Sequence, residues 1–237
     1  MSEIFEHKLS QLGIKLSSKQ YQQFDQYFEL LVEWNKVMNL TGITEYEEVN
    51  EKHFVDSLAI VKATDINQIH TIIDIGTGAG FPGIPLKIAF PHLKIVLLDS
   101  LGKRVKFLNT VIEVLALTDM TAIHGRAEDF AKQKEYREQF DLCVSRAVAN
   151  LSTLSEYCLP YVRTGGMFIS YKSGDVDEEL TLSKKAVHIL GGRLEDTVKF
   201  ELPDTDIGRS FVKIKKIQST SGKYPRKAGL PSKEPLS

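Results

Sequence analysis

The residues best suited to chemistry are glycines and prolines grouped in residues 72–88, IIDIGTGAGFPGIPLKI, of this 237-residue chain. Within them, residues 78–83, GAGFPG, match the dinucleotide-binding pattern G-x-G-x-x-G. Gly76, Gly78 and Gly80 allow a sharp turn and a close approach of a ligand to the backbone, since no Cβ stands in the way. The first glycine of the group, Gly76, nevertheless precedes the pattern. The segment therefore predicts a ligand-binding loop and leaves open whether the ligand carries phosphates.

Three details around this loop favour S-adenosylmethionine over NAD as the ligand. Asp74, at the end of the preceding strand, suits a sulfonium and an ammonium group, whereas it would repel a pyrophosphate. Pro82 and Pro85 remove two N–H donors with which the start of a helix binds phosphate. Residues 125–128, GRAE, follow a later strand and form a turn suitably placed for contact with adenine. Each detail alone has an ordinary structural explanation, and their combination favours the sulfonium compound.

Polar residues at other strand ends are expected to lie close to the glycine loop. Asp99 ends the second predicted strand, where an acidic side chain accepts hydrogen bonds from ribose hydroxyls. Ser145 and Arg146 end and follow the fourth predicted strand. Because ligands of open α/β sheets bind beyond the carboxyl ends of the strands, we expect these residues to border one crevice together with the glycine loop and residues 125–128.

The part of the chain after residue 70 alternates short apolar strands with helical stretches, which predicts an α/β fold of the Rossmann-like kind. The predicted strands are residues 71–75, 94–99, 121–124, 140–145, 166–172, 193–200 and 211–217. Helices are expected between them, for example over residues 103–115 and 175–190. The last two strands leave no room for a helix, so we expect a mostly parallel seven-stranded sheet with an antiparallel edge.

Three regions are predicted: a helical extension over residues 1–66 packed on the core, a Rossmann-like domain over residues 67–218, and a basic tail over residues 219–237. In the extension, a long amphipathic helix begins after a cap at Ser17 or Ser18, and a second helix covers residues 45–63. The second helix carries three unusual polar residues that either cover the glycine loop or form a hydrogen-bonded packing cluster: His53, Asp56 and Ser57.

The net charge of −1 is unevenly distributed. Residues 1–70 carry 6 Lys and Arg against 11 Asp and Glu, whereas residues 209–237 carry 8 basic residues and one acidic residue. A cationic end on a nearly neutral body is typical of proteins that bind a polyanion, because neutralising phosphates releases counterions. A solvated tail is the alternative interpretation.

Composition excludes several classes of protein. With 42% hydrophobic and 26% charged residues, the chain has the composition of a globular protein, and it lacks an apolar tract of membrane-spanning length. The amphipathic, acidic N-terminus does not resemble a signal peptide, so we expect a cytoplasmic protein. Cys143 and Cys158 lie in apolar runs and are expected to be buried reduced thiols. No Cys/His spacing predicts a metal site, and a monomer is the default expectation.

Several segments resemble the bacterial 16S ribosomal RNA guanine-N7 methyltransferases, also called the glucose-inhibited division protein B family. They are DIGTGAGFPGIPLKI, LLDSLGKRVKFL, GRAEDF, FDLCVSRAVANL and YPRKAGLPSKEPL, together with MNLTGI and HFVDSL in the helical extension. The resemblance covers nearly the whole chain. It implies a Rossmann-like methyltransferase that uses S-adenosyl-L-methionine, with donor contacts at Gly76, Phe81, Ala127, Glu128 and Arg146. The crevice argument adds Gly78, Gly80 and Asp99, while Phe81 could equally belong to the core.

The resemblance also implies a substrate, N7 of one guanine in 16S ribosomal RNA, either free or in the small ribosomal subunit. This nitrogen has a lone pair in the ring plane and bears no proton, so its in-line attack on a sulfonium methyl group requires no general base. We therefore predict no catalytic acid or base, and expect catalysis by positioning and by electrostatic stabilisation of the cationic product.

Five basic residues are predicted to contact the RNA: Lys172, Arg209, Lys223, Arg226 and Lys227. For Lys172, a simple exposed lysine at a strand end is an equal alternative. Two other functions remain as rivals, an NAD-dependent dehydrogenase or redox sensor, and an RNA-binding or assembly protein without catalytic activity.

Overall fold

A sheet of eight strands organises the structure, a computed structural model that describes residues 2–146 and 149–236. The strands are β1 Thr71–Ile75, β2 Lys94–Asp99, β3 Met120–His124, β4 Phe140–Ser145, β5 Val162–Ser173, β6 Gly192–Leu194, β7 Val198–Glu201 and β8 Gly208–Lys216. Their order is β3-β2-β1-β4-β5-β8-β6, and β7 also pairs with β8. Strands β1 to β5 are parallel, whereas β8 runs antiparallel to β5, β6 and β7. This is the expected Rossmann-like sheet with an antiparallel edge.

The strand predicted over residues 193–200 is divided in the structure. β6 pairs Leu194 with Ile214, and β7 pairs Val198 with Phe211, so both lie along the same side of β8. The polar residues 195–197, EDT, separate them and interrupt the apolar alternation that a single strand would need. The seven predicted strands therefore become eight strands in seven positions of the sheet.

Helices cover both faces of the sheet. They are α1 Glu3–Gln11, α2 Ser18–Met38, α3 Tyr46–Val49, α4 Asp56–Leu58, α5 Gly83–Ala89, α6 Gly102–Val114, α7 Ala127–Phe130, α8 Leu151–Cys158, α9 Asp177–Ile189 and α10 Leu230–Lys233. Short 3-10 helices span Ala59–Lys62, Ile66–Gln68 and Leu159–Tyr161. Because successive strand residues point to opposite faces, Ile72 belongs to the core cluster that includes residues of α2, α5 and α6, whereas Ile73 belongs to the cluster that includes residues of α8 and α9. Burial on both faces explains the continuous apolar runs of the central strands.

The N-terminal extension packs directly on the glycine loop. The Ser17 side chain caps α2 by accepting from Gln20 N, and the Gln20 side chain accepts from Ser17 N in return. Phe24, Tyr27 and Leu31 form the buried side of α2. The Tyr27 hydroxyl donates to the carbonyl oxygen of Ala79 in the loop, so α2 fixes the loop from behind.

The second predicted helix is a continuous helical run that changes type along its length. Between α3 and α4, residues Asn50–Val55 form a π-helix, which carries His53 at the edge of the glycine loop. Such π-helical segments are rare in proteins, and many of those that occur lie at functional sites. Asp56 and Ser57 follow at the start of α4, and both are buried.

The C-terminal segment folds back onto α8 rather than extending into solvent. The Thr153 hydroxyl donates to the Pro231 carbonyl at 3.0 Å. The guanidinium group of Arg137 donates to the carbonyl oxygens of Thr220, Ser221 and Tyr224. Among the described residues, no helix is long and apolar enough to cross a membrane.

Candidate functional site

The glycine loop joins β1 to α5 through three residues in the left-handed region. Gly76 has a φ of 71°, Gly78 of 62° and Gly80 of 99°. A Cβ on Gly78 would meet open space, whereas a Cβ on Gly80 would lie 2.4 Å from Ile84 Cδ1 and 2.8 Å from Tyr27 Oη. Gly80 is buried and its close packing by itself requires a glycine, while its contact with the donor stays a prediction.

Asp74 is buried beneath the glycine loop rather than exposed at its surface. Its side chain is fully buried, and its Oδ2 accepts hydrogen bonds from Thr77 Oγ1 at 2.7 Å and from Gly83 N at 2.9 Å. Burial raises the pKa of this carboxyl group to about 7, although both hydrogen bonds oppose the shift. Asp74 therefore holds the glycine loop against the start of α5, and its electrostatic effect on a bound sulfonium group stays a prediction.

Three adjoining cavities follow the carboxyl ends of the parallel strands. The first has a volume of about 470 Å³, and its walls include Gly76, Leu101, Ala127, Glu128, Tyr157 and Gly229. The second, of about 380 Å³, is lined by Gly76, Gly78, Phe81, Asp99, Arg104 and Arg146, among others. The third, of about 580 Å³, is lined by Lys52, Asp56, Arg146, Lys172, Glu179 and Arg209, among others. Gly76 and Ser100 border the first two cavities, and His53 and Arg146 border the last two.

Asp99 lies at the base of the second cavity. Its Oδ2 accepts from Gly78 N at 2.9 Å and lies 3.5 Å from Arg104 Nη1, while its Oδ1 accepts from Leu101 N at 2.9 Å. Each carboxylate oxygen can accept two hydrogen bonds, so Oδ1 retains a position for a ligand hydroxyl. The structure therefore places Asp99 where the sequence predicted it, at the end of β2 and against the glycine loop.

The residues after β3 form one wall of the first cavity. Tyr161 holds this turn by donating to the Ala127 carbonyl at 2.6 Å. Glu128, 6% exposed, accepts from Gly229 N at 2.8 Å through its Oε1. The C-terminal segment thus supplies part of the cavity wall.

Arg146 and His53 stand between the second and third cavities. Arg146 donates to the Lys52 carbonyl at 3.2 Å and to Asp56 Oδ2 at 3.0 Å, and its guanidinium carbon lies 4.9 Å from the centre of the Phe81 ring. His53 Nε2 lies 2.8 Å from Thr41 Oγ1. Burial and the neighbouring Arg146 charge lower the pKa of His53 to about 4, so its imidazole is neutral at physiological pH.

Phe81 is a core residue that also borders a cavity. It is 5% exposed and packs against Tyr27 at 5.5 Å between ring centroids, as a core residue does. It also borders the second cavity and carries the ring of His53 on its face. His53, in turn, both borders the cavities and belongs to the packing cluster, since Ser57 Oγ donates to its carbonyl oxygen.

The basic residues predicted to contact RNA divide into two groups. Lys172 and Arg209 border the third cavity, where Lys172 donates to Glu179 Oε1 at 2.7 Å and Arg209 donates to Asp56 Oδ1 at 2.8 Å. The alternative of a simple exposed lysine does not describe Lys172, because its side chain is only 11% exposed.

The basic residues of the tail comprise two exposed lysines and one arginine in an ion pair. Lys223 and Lys227 are exposed. Arg226 instead donates through Nε and Nη2 to Glu156, whose side chain is fully buried, and this pairing raises the pKa of Arg226. This pairing anchors the tail to α8, and the contact of Arg226 with an RNA phosphate stays a prediction.

Several residues at the site were not predicted. Ser100 and Leu101 directly follow Asp99, and Arg104 lies one helical turn further on; their position after a strand end is a signal that could have identified them. Tyr157 and Gly229 carry no comparable signal, because Gly229 lies 101 residues from Glu128 in the chain. Within the described ranges, no group of three or more His, Cys, Asp or Glu side chains could hold a metal ion, and both cysteines are buried and free.

The first two cavities together suit an adenosine compound without phosphates. The first is largely apolar beside Leu98, Leu101 and Ala127, as an adenine ring requires. The second offers the Asp99 carboxylate, and it offers guanidinium groups that could bind a ligand carboxylate. Pro82, as the N-cap of α5, and Pro85 lie at a helix start that is buried rather than open to a phosphate.

Comparisons with known proteins agree with this geometry. A family model described as rRNA small subunit methyltransferase G matches residues 20–211. The chain is 55% identical over 228 residues to the ribosomal RNA small subunit methyltransferase G of Lachnoclostridium phytofermentans, covering 96% of this chain and 94% of that protein. It is 49% identical to the protein of the same description from Clostridium botulinum, covering 98% of each.

Solved structures share the fold at low identity. The YcgJ protein of Bacillus subtilis is similar with a TM-score of 0.53 and 12% identity, over 70% of this chain and all of that one. The TYW2 protein of M. jannaschii, solved in complex with AdoMet, is similar with a TM-score of 0.50 and 13% identity, over 63% of this chain and 70% of that one. At such identities the likeness shows the fold alone.

Proposed function

The chain belongs to the rRNA small subunit methyltransferase G family, and we propose that it transfers the methyl group of S-adenosylmethionine to N7 of a guanine in 16S ribosomal RNA. The observation that carries this proposal is the continuity of the three cavities: a pocket for an adenosine compound opens past Arg146 into a crevice lined by basic side chains. We further propose that the protein acts as a monomer in the cytoplasm.

The first two cavities are proposed to hold the methyl donor. Gly76, Ala127 and Glu128 border the adenosine end, and Gly78, Phe81, Asp99 and Arg146 border the other end. When bound, S-adenosylmethionine supplies a methyl group activated by its positively charged sulfur. The side chains of the protein contribute a carboxylate for ribose hydroxyls, a guanidinium for the methionine carboxylate, and an aromatic wall.

The third cavity is proposed to receive the target nucleotide. Lys52, Lys172 and Arg209 offer cationic groups for RNA phosphates, and the carboxylates of Asp56 and Glu179 lie beside them. Lys223 and Lys227 extend the basic surface from the tail. Attack by N7 leaves a positive charge on the guanine, and the nearby carboxylates offset this charge.

No residue is required as a general base. N7 bears no proton, and His53, the titratable group shared by the second and third cavities, has its pKa lowered to about 4. Its imidazole cannot act as a general acid at neutral pH, because it is already deprotonated. Catalysis is therefore proposed to depend on positioning of the nucleotide beside the methyl group.

The decisive experiment measures methyl transfer directly. The purified protein is incubated with labelled S-adenosylmethionine and either naked 16S ribosomal RNA or small ribosomal subunits, and the modified nucleotide is identified by mass spectrometry. We expect N7-methylguanine at one position, and its loss in the Asp99→Ala and Gly78→Arg variants. RNA binding without methyl transfer would support the catalytically silent protein instead.

A thermal-shift measurement separates the remaining rival. A donor site predicts that S-adenosylmethionine or its demethylated product raises the melting temperature, because a ligand that binds only the native state stabilises it. NADH at the same concentration should have no effect. Stabilisation by NADH alone would favour a dehydrogenase and contradict the proposed function.

A further inference from the structure

One buried carboxylate joins two arginines that come from different strands. Asp56, 3% exposed, lies at the start of α4 in the N-terminal extension. Its Oδ2 accepts from Arg146 Nη1 at 3.0 Å, and its Oδ1 accepts from Arg209 Nε at 2.8 Å. Arg146 directly follows β4, whereas Arg209 lies in β8, and β5 separates these two strands in the sheet. Asp56 therefore sets the spacing between two cations of the third cavity.

Stability alone is a poor explanation for such a group. Removing three charges from water costs free energy that the ion pairs only partly return, so apolar residues of similar volume would stabilise the fold as well. The arginines are 19% and 20% exposed and keep part of their surface in the third cavity. The arrangement consequently holds two guanidinium groups at the cavity while neutralising part of their charge.

The two arginines depend on Asp56 to different degrees. Arg146 is also held by the Lys52 carbonyl, by His53 Nδ1 at 3.3 Å and by the face of Phe81. The Arg209 side chain, among its hydrogen bonds with described residues, has besides Asp56 only the carbonyl of its neighbour Gly208 at 3.1 Å. Loss of the carboxylate should therefore release Arg209 and leave Arg146 nearly in place.

We propose that Asp56 is a positioning residue that orients Arg209 toward the RNA substrate in the third cavity. This inference rests on the proposed function, since it assigns the third cavity to RNA. The proposal predicts a change in the KM for RNA without a change in donor binding. Loss of a purely structural residue would impair both. The KM for RNA depends on Arg209, whereas donor binding depends on the first two cavities, which Asp56 does not line.

A double-mutant cycle tests the proposal, with variants Asp56→Asn, Arg209→Gln and the double variant. Each single substitution should raise the KM for RNA by about tenfold, and the double variant should be no worse than the more impaired single variant, because both changes remove one interaction. The dissociation constant for S-adenosylmethionine, measured by calorimetry, should change by less than about threefold.

The matched control is Asp141→Asn. Asp141 also pairs with an arginine, Arg163, at 2.6 Å, but it lies near the start of β4, whereas the cavities lie at the carboxyl ends of the strands. This variant should lower the melting temperature and leave both the KM for RNA and donor binding unchanged. This control measures how a loss of stability alone affects the KM for RNA and donor binding.

Several results would overturn the inference. Additive effects in the cycle, a parallel loss of donor affinity, or a lower melting temperature with unchanged kinetics would each assign Asp56 a structural role. If the Asp56→Asn variant does not fold, the Arg209→Gln variant alone tests the proposal. A KM for RNA of this variant within about twofold of the wild-type value would contradict it. Failure of the proposed function is distinguishable, because the wild-type protein would then show no methyl transfer to RNA.

Discussion

The imidazole ring of His53 stacks on the ring of Phe81, with centroids 4.5 Å apart and planes inclined by 29°. This contact joins the π-helical segment of the N-terminal extension to the glycine loop. Through it, the extension forms part of the site rather than an independent appendage. The same contact buries His53 beside Arg146, which makes the stability of the protein depend on pH.

The first prediction concerns that pH dependence. The pKa of His53 is lowered from 6.5 to about 4 in the folded protein, so the unfolded chain binds a proton more readily. The contribution of the buried neutral His53 to the stability of the folded protein is fully present above pH 6.5 and is lost as the pH falls toward 4. Urea unfolding at pH 7 and pH 5 measures the free energy of unfolding. Between these two pH values the wild-type protein should lose about 1–3 kcal/mol more of it than the His53→Gln variant loses. His70→Gln, at an exposed position, is the control and should behave like the wild type.

The second prediction separates the charge of Asp74 from its hydrogen bonds. Asp74→Asn keeps an oxygen that can accept from Gly83 N and Thr77 Oγ1, so donor affinity should stay within about threefold of the wild-type value. Asp74→Ala leaves those donors without a partner and should destabilise the protein by about 2 kcal/mol or more. Denaturant unfolding and calorimetry measure the two quantities. A loss of donor affinity above tenfold in Asp74→Asn would show that the charge itself serves the ligand.

The third prediction concerns the two inner glycines of the loop. Gly80→Ala should cost about 2–4 kcal/mol of stability, since its Cβ would overlap Ile84 Cδ1 and its φ is 99°. Adding Ile84→Val removes that Cδ1 atom and should restore part of the loss. Gly78→Ala meets open space, so it should cost about 1 kcal/mol and chiefly weaken donor binding at the second cavity. Equal destabilisation by both single substitutions would contradict this assignment.

The fourth prediction distinguishes the basic residues of the tail. Replacing Lys223 and Lys227 by Glu should weaken RNA binding, reduce its salt dependence by about one unit of slope for each lysine, and leave donor binding intact. Arg226→Ala should instead lower the melting temperature and weaken donor binding, because it leaves the buried Glu156 unpaired and loosens the segment that carries Gly229. RNA titrations at several salt concentrations, with unfolding curves, test both parts. Loss of donor binding in the lysine variant would contradict the first part.

Local patterns in the sequence determined the architecture and the position of the site. The predicted bounds of β1, β2 and β4 agree with the structure, because buried parallel strands require continuous apolar runs that are visible in a single segment. The positive φ angles of Gly76 and Gly78 and the location of Asp99 also follow from local chemistry. The motifs then identified the family over nearly the whole chain.

Only the tertiary structure decided which charged groups are buried and which partners they have. Asp74 is turned inward and Arg226 is paired with Glu156, 70 residues earlier, although both read as functional in the sequence. Asp56 meets Arg146 and Arg209 across 90 and 153 residues of chain. Burial and ion pairing depend on contacts between distant segments, whereas propensity and periodicity describe only neighbours. The family could therefore be identified from the sequence, but the partners of its charged residues could not.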